Sequence, residues 1–133
     1  MVKFQAVLVM ALTLASGRAE AQQVDDRARG AARTLAEDGV TALQNGDATS
    51  AVDKLERAYQ IIRLPTVGLW SARALVKSGR LVSAAERYVE VTRWSGGTAD
   101  PKQEQAKGDA ARERDELLPR IPSAICVISS KCG

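Results

Sequence analysis

Two stretches of this chain, Ala42–Ala58 (ALQNGDATSAVDKLERA) and Leu75–Val91 (LVKSGRLVSAAERYVEV), read as one pattern written twice. Setting Gly46 on Gly79 aligns them without a gap, at an offset of 33 residues. Ala42 then falls on Leu75, Ala51 on Ala84, Leu55 on Tyr88 and Ala58 on Val91. Small residues meet small ones and apolar residues meet apolar ones. A period of this length marks stacked helical hairpins, none of which can bury its apolar face alone. Such stacks present extended binding surfaces more often than they carry catalysis.

Working outward, five helical segments follow one another. The first is expected over about Asp26–Gln44, with Ala28, Ala32, Leu35, Ala36, Val40 and Leu43 at three- and four-residue steps. Asp25 and Asp26 put negative charge at its expected start, where the helix dipole favours it. Asn45-Gly46 ends it, and Asp47 is placed to cap the next helix, Ala48–Ile62. Pro65 closes that region. A third helix is expected over Thr66–Ser78, broken by Gly79-Arg80, and a fourth over Leu81–Trp94. Trp94 is expected to cover the fifth. Ser95-Gly96-Gly97-Thr98 is a loop. The fifth helix, to about Leu118, opens on a capping signal: Asp100, then Pro101 at the first helical position and Gln103 at the third. Its apolar stripe is thin (Ala106, Ala110, Leu117), as befits a terminal helix with one face on its neighbour.

At Gly39, Gly46, Ala51 and Ala58 the segment Ala32–Pro65 resembles the tetratricopeptide repeat (TPR). In that family small residues at these places let the paired helices approach. The segment from Pro65 to about Trp94 matches at Ala72, Gly79 and Ala84, with Val91 the weakest match. The first-helix aromatic of the family is absent, with Leu35 and Gly68 in its place. The terminal proline is displaced, with Arg63 where it would stand and Pro65 two residues later. The resemblance implies an all-α fold: two TPR-like hairpins, about 26–62 and 66–94, in a short right-handed stack with a capping helix over about 101–118. The layout is also similar to exported bacterial TPR proteins in which repeats precede a β-rich domain. On that view Leu117–Pro122 is the junction.

The two ends read differently. Lys3, the apolar run Ala6–Ala15 and Ala19-Glu20-Ala21 fit a secretory signal over Met1–Ala21, cleaved before Gln22; an uncleaved membrane anchor is the other reading, disfavoured by so short a run. Export to the periplasm or the outside is therefore expected. At the other end Pro119 and Pro122 stop helix, and Ser123–Ser129 (SAICVIS) is β-prone within a tail, 119–133, expected to be poorly ordered or to need a further domain. Cys126 and Cys132 both lie there. An oxidising compartment would let them pair and close a small loop; the alternative is that they are disordered, or left over from a damaged or alternative reading frame.

The chemistry left open is narrow. The chain has no His, which removes the commonest general base and zinc ligand. Its net charge of +3 is spread over alternating signs, as in Arg112-Glu113-Arg114-Asp115-Glu116, which reads as solvated helix faces rather than a nucleic-acid tract. Asp25-Asp26 and Glu37-Asp38 are adjacent and point to different faces, while Glu86 and Glu90 share a face expected to be wet. No activated nucleophile, metal set or phosphate loop stands out, so neither an enzyme nor a cofactor is expected.

What remains is a groove. Carrying the TPR groove positions over gives Arg33, Glu37, Val40 and Gln44 on the first helix and Leu69, Trp70, Arg73 and Lys77 on the third. Ala36 and Val40 stand where the chaperone-binding class of the family needs Lys and Asn, so that specificity is not implied. Trp70 offers an aromatic anchor and Arg73 and Lys77 cationic heads for a peptide's carboxylates. A large aromatic at helical spacing is more often core, and that reading of Trp70 is the favoured one. The expected function is a non-catalytic scaffold for a protein or peptide partner. A structural spacer or assembly subunit, stacked on a second copy or a further domain, is the alternative.

Overall fold

The computed structural model describes residues 16–97 and 100–122. Five α-helices follow in order: α1 (Ser16–Gln44), α2 (Ala48–Ile61), α3 (Pro65–Lys77), α4 (Leu81–Thr92) and α5 (Pro101–Leu117), with a 3-10 turn over Leu118–Arg120. The described residues are all-α. Each helix packs chiefly on its neighbours in the chain, α1 on α2 and α3 on α4 as hairpins, and α5 packs on both α3 and α4. The expected signal region up to Ala15 lies outside the described residues, as do the run Ser123–Ser129, Cys126 and Cys132.

The two hairpin turns are the same turn built twice. In the first, Asn45, Gly46 and Asp47 donate their backbone N–H groups to the carbonyls of Thr41, Leu43 and Ala42. In the second, Ser78, Gly79 and Arg80 donate to Ala74, Val76 and Leu75, each acceptor one period further on. Gly46 and Gly79 take φ of 84° and 79°, a left-handed backbone that a Cβ disfavours. Asp47 caps α2 as expected, its carboxylate accepting from Ser50 N–H at 3.0 Å. Nothing equivalent caps α4, where Arg80 holds the position.

The aligned pairs share their burial. Ala51 and Ala84, Leu55 and Tyr88, Ala58 and Val91 are all buried. The close-approach positions are Gly39 and Gly68. A Cβ on Gly39 would stand 2.6 Å from Leu55 Cγ, and one on Gly68 would stand 2.5 Å from Val91 Cγ2 and 2.9 Å from Tyr59 Cε2. Gly68 is therefore where α3 lies against α2 and α4 at once. The ring of Tyr59 from α2 lies directly against this position.

Three details differ from expectation. Helix α1 already runs from Ser16, the first described residue, ten residues ahead of the expected start, and Ala19–Gln23 are good helix formers. Asp25 and Asp26 consequently sit within α1, where both reach the exposed Arg29. Gln103 does not close a capping box on its own helix: Asp100 caps α5 through Lys102 N–H, while Gln103 is buried and accepts from Thr66 N–H at 3.1 Å. It thereby satisfies an orphan donor at the start of α3, where Leu64 offers no side-chain cap. Trp94 lies against Gly96 and Gly97 of its own loop.

Gly68→Ala should destabilise the protein by about 1–3 kcal/mol, because the methyl has no room between Tyr59 and Val91. Gly30→Ala and Gly108→Ala, helical positions with nothing within 4 Å, should stabilise it by about 0.5–1 kcal/mol each. Urea unfolding followed by circular dichroism measures all three.

Candidate functional site

Helices α1 and α3 barely touch, and between them lies a groove of about 410 Å³. Ala36, Glu37, Val40 and Thr41 of α1 form one wall, and Thr66, Val67 and Trp70 of α3 form the other, with Leu55 of α2 at the floor. The lining is mostly apolar. Trp70 is half-buried, neither sealed in the core nor fully presented, so one part of its indole packs and the rest faces the groove.

Three of the eight groove residues named from the sequence, Glu37, Val40 and Trp70, meet here. Arg33 and Gln44 are exposed on α1 and lie outside this lining, as does the exposed Lys77 on α3. Leu69 is buried in the core. Arg73 is engaged elsewhere. Its guanidinium makes a bidentate contact to Glu113 of α5, with Nε 3.1 Å from both carboxylate oxygens and Nη2 2.6 Å from Oε1. It also stacks over the Trp70 ring at 4.8 Å. Paired in this way, it is a strut between helices rather than a free cation awaiting a peptide carboxylate.

Glu113 is one of two carboxylates that join three helices. The Tyr88 hydroxyl of α4 donates to its Oε2 at 2.8 Å, so α3, α4 and α5 meet on one side chain. The second is Glu56 of α2, which accepts from the Ser71 hydroxyl of α3 and from Arg87 Nη2 of α4 at 2.7 Å. Arg87 lies over the Tyr59 ring at 4.3 Å and donates from Nη1 to Glu90 at 2.9 Å, while its buried Nε has no acceptor.

The electrostatics of the Glu113 cluster follow from its surroundings. Burial alone would raise the Glu113 carboxyl, but the hydrogen bonds from Arg73 and Tyr88 and the Arg73 charge outweigh it and hold the group below the usual carboxylate range. The hydrogen bond to Glu113 raises Arg73 against the opposing effect of burial. Burial first, and the bond to Glu113 second, push the Tyr88 phenol up. Ion pair and neutral phenol are thus the settled state at neutral pH. No proton is poised to move. Among the described residues no group of three or more acidic or Cys side chains could hold a metal ion, and no helix is long and apolar enough to cross a membrane.

The sequence placed Glu113 within a run of alternating surface charges, yet the structure half-buries it. A signal was present: in α5 the buried Ala106, Ala110 and Leu117 are spaced by four and seven, and Glu113 falls on that stripe. Glu56 follows Val52 and Leu55 on the buried side of α2 in the same way.

Comparison with known protein families, with curated proteins and with solved structures finds no match to this chain.

Glu113→Gln should lower stability at pH 7 by about 2 kcal/mol, the scale of charge-assisted hydrogen bonds lost from a partly buried site. Because the folded carboxyl titrates below its unfolded value, that contribution is present above the unfolded pKa of about 4.3 and is lost as pH falls through the folded value. The gap between wild type and variant in urea unfolding should therefore be constant above pH 6 or so and close on acidification.

Proposed function

We propose that this chain is a TPR-like helical repeat protein, exported to the periplasm or secreted, that acts without catalysis by binding a peptide or a partner helix between α1 and α3. The observation that carries the reading is the apolar groove itself, with a half-exposed Trp70 on one wall and Val40 facing it from the other. A groove with this lining recognises apolar surface. One aliphatic or aromatic side chain seated there contributes about 1.5–3 kcal/mol, enough to anchor a modest interaction but not to define it alone. The family likeness rests on the repeated turn, the 33-residue register and the small residues at Gly39, Ala51, Ala58, Ala72 and Ala84. Export rests on Lys3, the run Ala6–Ala15 and Ala19-Glu20-Ala21.

Arg73 has a different role in this proposal from the one its position suggests. With its fork occupied by Glu113, recognition shifts from carboxylates toward apolar anchors. The same ion pair favours the second reading, a spacer or assembly subunit, because it spends a groove cation on internal cohesion.

The test uses a Trp94→Phe chain, in which Trp70 is the remaining tryptophan. Selection from a displayed random-peptide library should enrich sequences with an aliphatic or aromatic anchor. Their synthetic counterparts should shift Trp70 emission, and Val40→Glu should weaken them at least tenfold. Binding that is indifferent to Val40→Glu would place recognition outside the groove. No enrichment, together with a concentration-dependent dimer in light scattering, would favour the assembly reading.

A further inference from the structure

Among the described residues the stack is covered unequally along its length, and the repeat shows where. On α2, Val52 is buried and Glu56 is held by Ser71 of α3 and Arg87 of α4, so this face is closed by the hairpin that follows. One period later the equivalent positions on α4 are Ala85 and Val89. Neither is closed. Both are half-buried, and together with Leu118 they line a groove of about 450 Å³ between α4 and the end of α5, with Arg114, Glu86, Glu90 and Arg93 also in its lining. Val82, two turns before Val89 on the same line of the helix, is 54% exposed, the most open large apolar side chain of the described residues. The face that a following hairpin would cover is an apolar stripe with α5 on one side and nothing described on the other.

The chain supplies an occupant. Leu118 lines this groove, Ile121 turns back into the core, and the next residues are Ser123-Ala124-Ile125-Cys126-Val127-Ile128-Ser129, five consecutive apolar side chains between two serines. Cys126 stands four residues beyond Pro122, within about 14 Å of it even when fully extended, so the run is tethered beside the groove it would fill. Such a run cannot remain in water without cost, and the unpaired stripe of α4 is the apolar surface at its root. We propose that residues 124–128 of the same chain lie in the α4–α5 groove, over Ala85 and Val89, and cover the apolar stripe there. This does not depend on what the α1–α3 groove binds.

Disulfide trapping in the full chain tests it. Cys132→Ser leaves Cys126 as the reporter. A second cysteine is then placed either in the groove, as Ala85→Cys, or on the opposite side of α5, as Glu116→Cys, which is exposed and also close to the root of the tail. Circular dichroism establishes that each variant keeps its helix content, and Val89→Cys replaces Ala85→Cys if that variant does not. Under mild oxidation at low protein concentration, the groove cysteine should form an intramolecular bond to Cys126 at least ten times faster than Cys at position 116, as read by mass spectrometry. Equal rates, or a faster bond at position 116, would overturn the proposal. So would bonds that form only between chains, which would make a second copy the occupant.

Discussion

The α3–α4 hairpin is gripped from both sides by a carboxylate. Glu56 reaches it from α2 and Glu113 from α5, and each takes one partner from α3 and one from α4. The rest of the structure depends on this pair of clamps because about half of the buried apolar residues are alanines. Ala51, Ala58, Ala72, Ala74, Ala84, Ala106 and Ala110 are all buried, and alanine buries little area per residue. Small residues bring the helices close, while ion pairs with hydrogen bonds fix which residue stands opposite which. A half-buried charge with its partner removed is costly, so each clamp penalises slippage between helices more than it rewards correct docking. The unpartnered Nε of Arg87 shows that the arrangement is not free of cost.

The clamps also shape the groove between α1 and α3. Arg73 is drawn toward α5, and its stacking on Trp70 holds the indole at the groove's edge. The result is an apolar slot beside which the Arg73 cation is already paired. Polarity is pushed to the margins, to Glu37 and Thr41 on one wall and Thr66 on the other. Charge reversal at Arg73 would disturb the α5 anchor before it disturbed any ligand, so variants at Val40 separate binding from folding where variants at Arg73 do not.

Much of the fold was legible because it is local. The 33-residue register located both hairpins, and Gly46 and Gly79 proved to be the left-handed caps that end α1 and α3. Asp47 and Asp100 cap the helices they precede. What was not legible is long-range pairing between polar groups. Periodicity identifies which face is buried but treats every charge as solvated, so Glu113 was read as surface, and nothing local marks Glu56 and Arg87 as partners. Gln103 shows the same limit: its spacing from Asp100 fits a capping box, yet its side chain satisfies Thr66, 37 residues away in sequence. Of the groove, Val40 and Trp70 came from the positions that the TPR resemblance implies, whereas the commitment of Arg73 to Glu113 required α5 to be in place. Gly68, read only as a departure from the TPR pattern, is the contact point where Tyr59 and Val91 approach α3.

The claim that a carboxylate clamp sets the register of the hairpins is tested most directly by a double-mutant cycle on Glu56 and Arg87. Urea unfolding of wild type, Glu56→Gln, Arg87→Met and the double variant gives their coupling with the Glu90 and Tyr59 contacts of Arg87 cancelled. A coupling of about 1 kcal/mol or more, with the double variant less impaired than the sum of the singles, is the predicted result. A coupling near zero would mean that alanine packing alone aligns the helices and that the clamp merely decorates a stack already formed.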